Sequence, residues 1–251
     1  MKSLVRRLAL AFLILILATA GTLAWWLLRP LALEAGRIEV NVPQGASLRT
    51  AANQAVAAGV RMPARLLQAY FRFAGRQRTI QPGAYEVTQG MRAADLLDKL
   101  VRGERIQLSL TLVEGWTFRQ VRQALARAEF LTHDSADLSP EQLMTAIGAP
   151  GVAPEGRFFP DTYLYAKNAS SDLAILRQAM QLMQRRLAAA WDARAPDLPL
   201  KTPDEALILA SIVEKETGRA ADRAEVAGVF VNRLRIGMPL QTDPTVIYGL
   251  G

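Results

Sequence analysis

The feature that most constrains this chain is a run of 21 residues, 8–28, without a single charge. A helix rises about 1.5 Å per residue, so such a run spans roughly 30 Å, the thickness of one hydrocarbon core. Lys2, Arg6 and Arg7 precede it, Trp25 and Trp26 stand at its far end, and Arg29-Pro30 follows. Basic flanks stay in the cytoplasm, indoles favour the headgroup layer, and proline stops a helix. The pattern predicts a cytoplasmic tail over 1–7, a single transmembrane helix over 8–28, and the remainder outside the cytoplasm. The alternative is a cleaved leader, with an apolar stretch over 8–17 and a small-residue site at Ala18-Thr19-Ala20. Either way residues 30–251 leave the cytoplasm, and the uncharged residues beyond Ala20, ending in two Trp, favour the anchor.

Charge and composition remove several functions. The net charge is +7. Residues 1–29 hold four bases and no acid, so the remaining chain carries only +3. A nucleic-acid binder concentrates its charge on the folded part, so no nucleic-acid partner is expected. The apolar share is 51% and the charged share 21%, which suits a packed fold. There is no cysteine, which excludes a disulfide framework, a thiolate zinc site and a thiol nucleophile. One histidine, His133, argues against a multi-histidine metal site or a Ser-His-Asp triad. No glycine-rich phosphate loop is present. No metal and no cofactor are expected.

From residue 37 onward one pattern occurs three times: a strand, a turn around glycine, and a helix. Arg37-Ile38-Glu39-Val40-Asn41-Val42 alternates with period two, a turn at 43–47 follows, and Leu48, Ala51, Ala52 and Ala55 recur at helical spacing up to Gly59. A second short helix is predicted over 64–73. Residues 83–87 and 106–113 open the next two repeats. Helical stripes at Ala94, Leu96, Leu97 and Leu100, then at Val121, Leu125 and Ala128, close them. Ser47 and Thr117 are placed to cap helices. Residues 38–110 resemble a LysM-like βααβ module, which implies contact with N-acetylglucosamine-containing glycans. Residues 111–150 read as a connecting strand–helix unit, and 133–137 as a polar loop.

The chemistry is expected in 155–251. Glu155, Asp161 and Tyr163 belong to an aromatic and acidic block that suits a sugar cleft; the plainer reading is a core-anchoring turn with Phe159 and Tyr163 buried. An amphipathic helix over 172–191 follows, with Leu173, Leu176, Ala179, Met180, Met183 and Leu187 inward. Thr202-Pro203-Asp204-Glu205 opens a further helix, dense enough in apolar residues to be buried nearly all round, which runs to Glu214-Lys215-Glu216-Thr217. Glu214 and Glu216 lie about 200° apart around it. Glu216 continues the Leu209–Ile212–Val213 stripe. That setting predicts a partly desolvated carboxyl that keeps its proton, as a general acid requires. The alternative makes both structural partners of Lys215, Arg219 or Arg223. A helix over 225–234 carries Asn232 and Arg233, and 237–248 reads as a loop holding Gln241, Asp243 and Tyr248.

Three segments carry a resemblance: Ala210-Ser211-Ile212-Val213-Glu214-Lys215-Glu216-Thr217, Val229-Phe230-Val231-Asn232-Arg233-Leu234, and Leu240-Gln241-Thr242-Asp243-Pro244-Thr245-Val246-Ile247-Tyr248-Gly249. They resemble the YceG-like family, the MltG-type endolytic murein transglycosylases. The resemblance implies an α+β chain: membrane helix, LysM-like module, then a mainly helical catalytic domain over 155–251. It implies a bacterial inner-membrane enzyme whose main domain is periplasmic. Such an enzyme cuts the β-1,4 bond between N-acetylmuramic acid and N-acetylglucosamine and leaves 1,6-anhydromuramic ends. Glu216 is then the catalytic acid and base. Gln241, Asp243, Tyr248, Asn232, Arg233, Glu155, Asp161 and Tyr163 are candidate sugar contacts, peptidoglycan strands are the partner, and peptidoglycan synthases are neighbours by analogy. Family members continue past the Thr-Asp-Pro-Thr-Val-Ile-Tyr-Gly segment, so a C-terminally incomplete catalytic domain is expected. The competing expectation is a non-catalytic, membrane-anchored wall-binding or scaffold protein.

Overall fold

The computed structural model describes residues 28–74 and 79–250, with residues 6, 10–15, 17, 18 and 21 before them. About half of the expected membrane helix over 8–28 lies outside the described residues, and among those described no helix is long and apolar enough to cross a membrane. The described chain is a mainly helical α+β structure with two small two-stranded sheets. It divides into two units, one running to Leu108 and including Ala166–Ala169, the other made of Ser109–Tyr165 and the chain from Ser170 onward.

In the first unit, β1 (Arg37–Val42) buries Ile38, Val40 and Val42 and exposes Arg37, Glu39 and Asn41, as period-two alternation requires. It pairs antiparallel with β2 (Gly83–Thr88), Val40 opposite Tyr85 and Glu39 opposite Glu86. Between them run α1 (Leu48–Ala57) and α2 (Ala64–Ala74), and α3 (Ala93–Arg102) follows β2. The Ser47 hydroxyl accepts the Thr50 N–H and caps α1. The buried face of α1 is alanine alone, Ala51, Ala52 and Ala55, and it packs on β1 and α2. Helix α3 buries Ala93, Leu96, Leu97 and Leu100, an i, i+3, i+4, i+7 stripe. It stops at Gly103 in the left-handed region, φ +70°, where an added Cβ would lie 2.3 Å from Gln81 Oε1. Val40, Val42, Phe71, Tyr85, Leu96 and Leu100 fill the core, each buried side chain contributing about 1.5–3 kcal/mol of transfer free energy. The Tyr85 hydroxyl donates to Gln81 O at 2.7 Å, and burial holds the phenol above its ordinary pKa.

The third repeat does not extend this sheet. Its strand, β3 (Gln107–Thr111), pairs with β4 (Thr162–Ala166). The sequence reading missed β4, although Tyr163 and Tyr165 alternate there with exposed Thr162 and Leu164.

In the second unit, α4 (Phe118–Arg127) is capped reciprocally by Thr117 and Gln120, and α5 (Pro140–Ala146) by Ser139 and Gln142. The sequence reading passed over α5 despite its Ser-x-x-Gln box and leading proline. Helix α6 (Asp172–Asp192) buries Ile175, Leu176, Ala179 and Met180, while Leu173, Met183 and Leu187 are only half-buried. Its first residue, Asp172, is buried and accepts the Ser135 hydroxyl at 2.6 Å and the Ser135 N–H. The segment 133–137 is therefore not wholly solvated, although His133 itself is exposed.

Helices α7 (Pro203–Glu216), α8 (Arg223–Arg235) and α9 (Asp243–Leu250) complete the chain, with a 3₁₀ turn at Ala220–Asp222. Thr202 caps α7 by accepting the Glu205 N–H, and Pro203 occupies the first turn, where no N–H is needed. Burial all round α7 is not found. Leu209, Ile212 and Val213 pack with Phe230 of α8, whereas Ile208, Ala210 and Ser211 are exposed. The packing partners α6, α8 and α9 leave one face of α7 open to water. The loop expected over 237–248 ends at Thr242, because Asp243-Pro244 starts α9.

Candidate active site

Helix α7 delivers the two carboxylates, and the structure separates them. Glu214 is one-third exposed and pairs with Arg223 at 3.2 Å. The turn before α4 lies beside it: a Cβ on Gly115, whose φ is +72°, would come within 3.7 Å of Glu214 Cγ and Lys215 Nζ. Glu216 has no cation within ion-pair distance among the described residues. Its Oε2 accepts the Thr242 hydroxyl at 2.7 Å. The alternative of two structural ion pairs thus fits Glu214 and not Glu216.

Thr242 is itself buried, and its carbonyl accepts both the N–H and the hydroxyl of Thr245, at 3.1 and 2.7 Å. The preceding Gln241 takes φ +40°, a sparsely populated value for a side chain of this kind. That kink turns Thr242 inward and leaves Gln241 exposed. The Arg233 guanidinium donates to Leu240 O and lies 5.9 Å over the Phe230 ring, so α8 grips the loop that carries Thr242. The sequence reading did not single out Thr242; a lone hydroxyl ahead of Asp-Pro was the available signal.

The expected aliphatic setting of Glu216 is corrected. Glu216 is exposed. The stripe beneath it is buried, but Glu216 is the last helical residue and projects past the Phe230 packing. Helix α9, which packs on α7, leaves Val246, Ile247, Tyr248 and Leu250 exposed.

The other candidate residues divide into open and engaged. Gln241, Asp243, Tyr248 and Asn232 are exposed, and the Asn232 side chain accepts from Arg235 at 3.4 Å. The Glu155 carboxylate accepts the Phe118 N–H at 3.1 Å, at the start of α4. Asp161 is exposed and accepts the Thr162 N–H. Tyr163 is buried and donates to Phe159 O at 2.6 Å; burial, reinforced by the charge of Asp161, pushes its pKa up to about 12. In this block Phe158, not Phe159, is the buried ring, stacked 5.5 Å from Phe118. Arg157 forks onto Asp204 of α7 at 2.6 and 3.0 Å. That bond raises the guanidinium pKa and holds the Asp204 carboxyl below its usual range.

Chemically, the arrangement presents one carboxylate with an anchored oxygen and a free one, open to a ligand and without a charge partner. The sequence model of the YceG-like family matches residues 40–251. A protein of Streptococcus pneumoniae D39 named endolytic murein transglycosylase is 25% identical over 243 residues, covering 85% of this chain and 43% of its own length. One of the same name from Bacillus subtilis 168 is 26% identical over 231 residues, covering 85% of this chain and 63% of its own length. The chain thus spans about half the length of the curated relatives it matches. A crystal structure of a yceG-like protein from Listeria monocytogenes aligns at 24% identity with a TM-score of 0.42, over 86% of this chain and 76% of that one.

Proposed function

The chain belongs to the YceG-like family, and from that premise we propose that it is an endolytic peptidoglycan transglycosylase with Glu216 as its sole general acid and base. The observation that carries the reading is the contrast between an ion-paired Glu214 and an unpaired Glu216 held by Thr242. Glu216 first protonates the glycosidic oxygen between N-acetylmuramic acid and N-acetylglucosamine. As carboxylate it then takes the proton of the muramyl 6-hydroxyl, which attacks the anomeric carbon and closes the 1,6-anhydro ring. A hydrolase needs a second carboxyl to attack or to activate water. Here the nucleophile belongs to the substrate, and its intramolecular position supplies a high effective concentration. Thr242 fixes one carboxylate oxygen and leaves the other to meet the sugar. Gln241, Asp243, Tyr248 and Asn232, all exposed, and Arg233 are the sugar contacts of this reading.

In this reading residues 8–28 anchor the chain in a bacterial inner membrane with the tail over 1–7 in the cytoplasm. The LysM-like module over 38–110, the connecting unit over 111–150 and the catalytic domain over 155–251 face the wall, with peptidoglycan synthases as neighbours. The order β1–α1–α2–β2 with antiparallel pairing supports the LysM-like assignment.

A second reading, a wall-binding scaffold without activity, draws on the exposure of Glu216. Incubation of the protein with purified sacculi separates them. The enzyme releases soluble anhydromuropeptides from strand interiors, so glycan chains shorten at once. The scaffold pellets with sacculi and releases nothing.

A further inference from the structure

The outer face of the β1–β2 ribbon carries a cavity of about 540 Å³ walled by Arg37, Glu39, Glu86, Lys99, Glu104 and Arg105. Its chemistry is mixed in sign. Glu39 and Glu86 stand directly opposite each other in the ladder, an arrangement of like charges that is unfavourable alone. Each is answered from outside the pair, Glu86 by Arg37 and Glu39 by Lys167, both at 2.7 Å. Lys99 Nζ spends one donor on the Glu86 carbonyl at 2.8 Å, and an ammonium has two more. Arg105 donates through Nη1 to Pro82 O and through Nη2 to Gln81 Oε1, while its Nε is buried with no hydrogen-bond partner.

We infer that this cavity is a binding site for a short zwitterionic peptide, one that carries both free carboxylate and free amine. A simple anion meets the Glu39–Glu86 pair, and a simple cation meets Lys99 and Arg105. A ligand bearing both signs places its carboxylate on the Lys99 ammonium and the Arg105 side chain and its ammonium on the two glutamates. The inference rests on the proposed action on peptidoglycan, whose peptide stems combine glutamyl and terminal carboxylates with the amine of a diamino acid. The site then holds the stem while glycan is handled elsewhere on the chain.

The test is calorimetric titration of the full chain with the tetrapeptide L-Ala-γ-D-Glu-L-Lys-D-Ala at low salt. Its control is the same peptide with amines acetylated and carboxylates amidated. Saturable binding is expected for the free peptide, weakened at least about tenfold by capping and by either Lys99→Met or Glu39→Gln, with Glu216→Gln binding as wild type does. Glu39 lies on the solvent side of the ribbon, so Glu39→Gln keeps the test open if Lys99→Met misfolds. Equal binding of the capped peptide, unchanged binding by Glu39→Gln, or no saturable binding overturns the inference. Peptide binding by a chain that releases no anhydromuropeptides would overturn the proposed activity and leave the site standing.

Discussion

At the scale of single residues, function depends on which groups are already occupied. Thr242 is a positioning residue: it bonds Glu216 and no reacting atom. Thr242→Val removes that bond at nearly constant volume and should lower kcat about tenfold with little change in KM, and Thr242→Ser should restore it. An unchanged kcat in the valine variant, measured by anhydromuropeptide release, would remove Thr242 from the mechanism. Tyr163 offers a test of burial. Its folded pKa is raised to about 12 from an ordinary 10.0, so its contribution is complete below pH 10 and is lost as pH rises toward 12. Wild type should therefore lose roughly 2 kcal/mol more than Tyr163→Phe over that interval, read by urea melts at both ends. At neutral pH the phenylalanine variant loses the bond to Phe159 O, about 0.5–1.5 kcal/mol. Equal alkaline slopes would mean the phenol is open to water. Residue identity was legible where a single spacing decided the matter, as in the separation of Glu214 from Glu216. It was not legible where exposure decided, because sequence places Glu216 on the stripe but does not say that the packing ends one turn earlier.

At the scale of elements, local chemistry predicted more than tertiary packing did. The helix starts at Ser47, Thr117 and Thr202 and the stops at Gly59 and Gly103 follow from capping and left-handed backbone, which act within a few residues. Strand partners do not: β3 has the same local pattern as β1 and β2 yet pairs with β4, more than fifty residues on. The inward face of α6 is legible at Leu176, Ala179 and Met180 but not at Ile175, which replaces Leu173 and Met183 in the buried set, because several apolar stripes overlap on that helix and only its neighbours choose among them. Gly103 gives this scale its prediction. Gly103→Ala forces a Cβ into a left-handed residue and against the Gln81 side chain. It should destabilise the protein by about 1–3 kcal/mol, seen as a lower urea midpoint with an unchanged slope. An unaltered midpoint would show that the α3 stop relaxes freely.

At the scale of the whole molecule, the proposal joins an anchor over 8–28 to an acid at 216 in one protein, and each half has its own test. If residues 8–28 are an uncleaved anchor, the full chain should stay in the pellet after alkaline carbonate extraction, and deletion of 1–29 should release it. Release of the full chain would favour the cleaved leader. Direction of the net charge was legible from the sequence, since most of the excess sits before residue 30. The mixed-sign cavity of the first unit was not, because it needs the β1–β2 register to bring Glu39 opposite Glu86. In the proposed reaction one carboxyl, Glu216, carries the proton in both halves. Mass spectrometry of the soluble products from identical sacculi, digested by wild type, Glu216→Gln and Glu214→Gln, tests it most directly. The expected result is that 1,6-anhydromuramyl products fall about 10²–10⁴-fold in Glu216→Gln and persist in Glu214→Gln; retention of those products in Glu216→Gln, with their loss in Glu214→Gln, would overturn the assignment of Glu216.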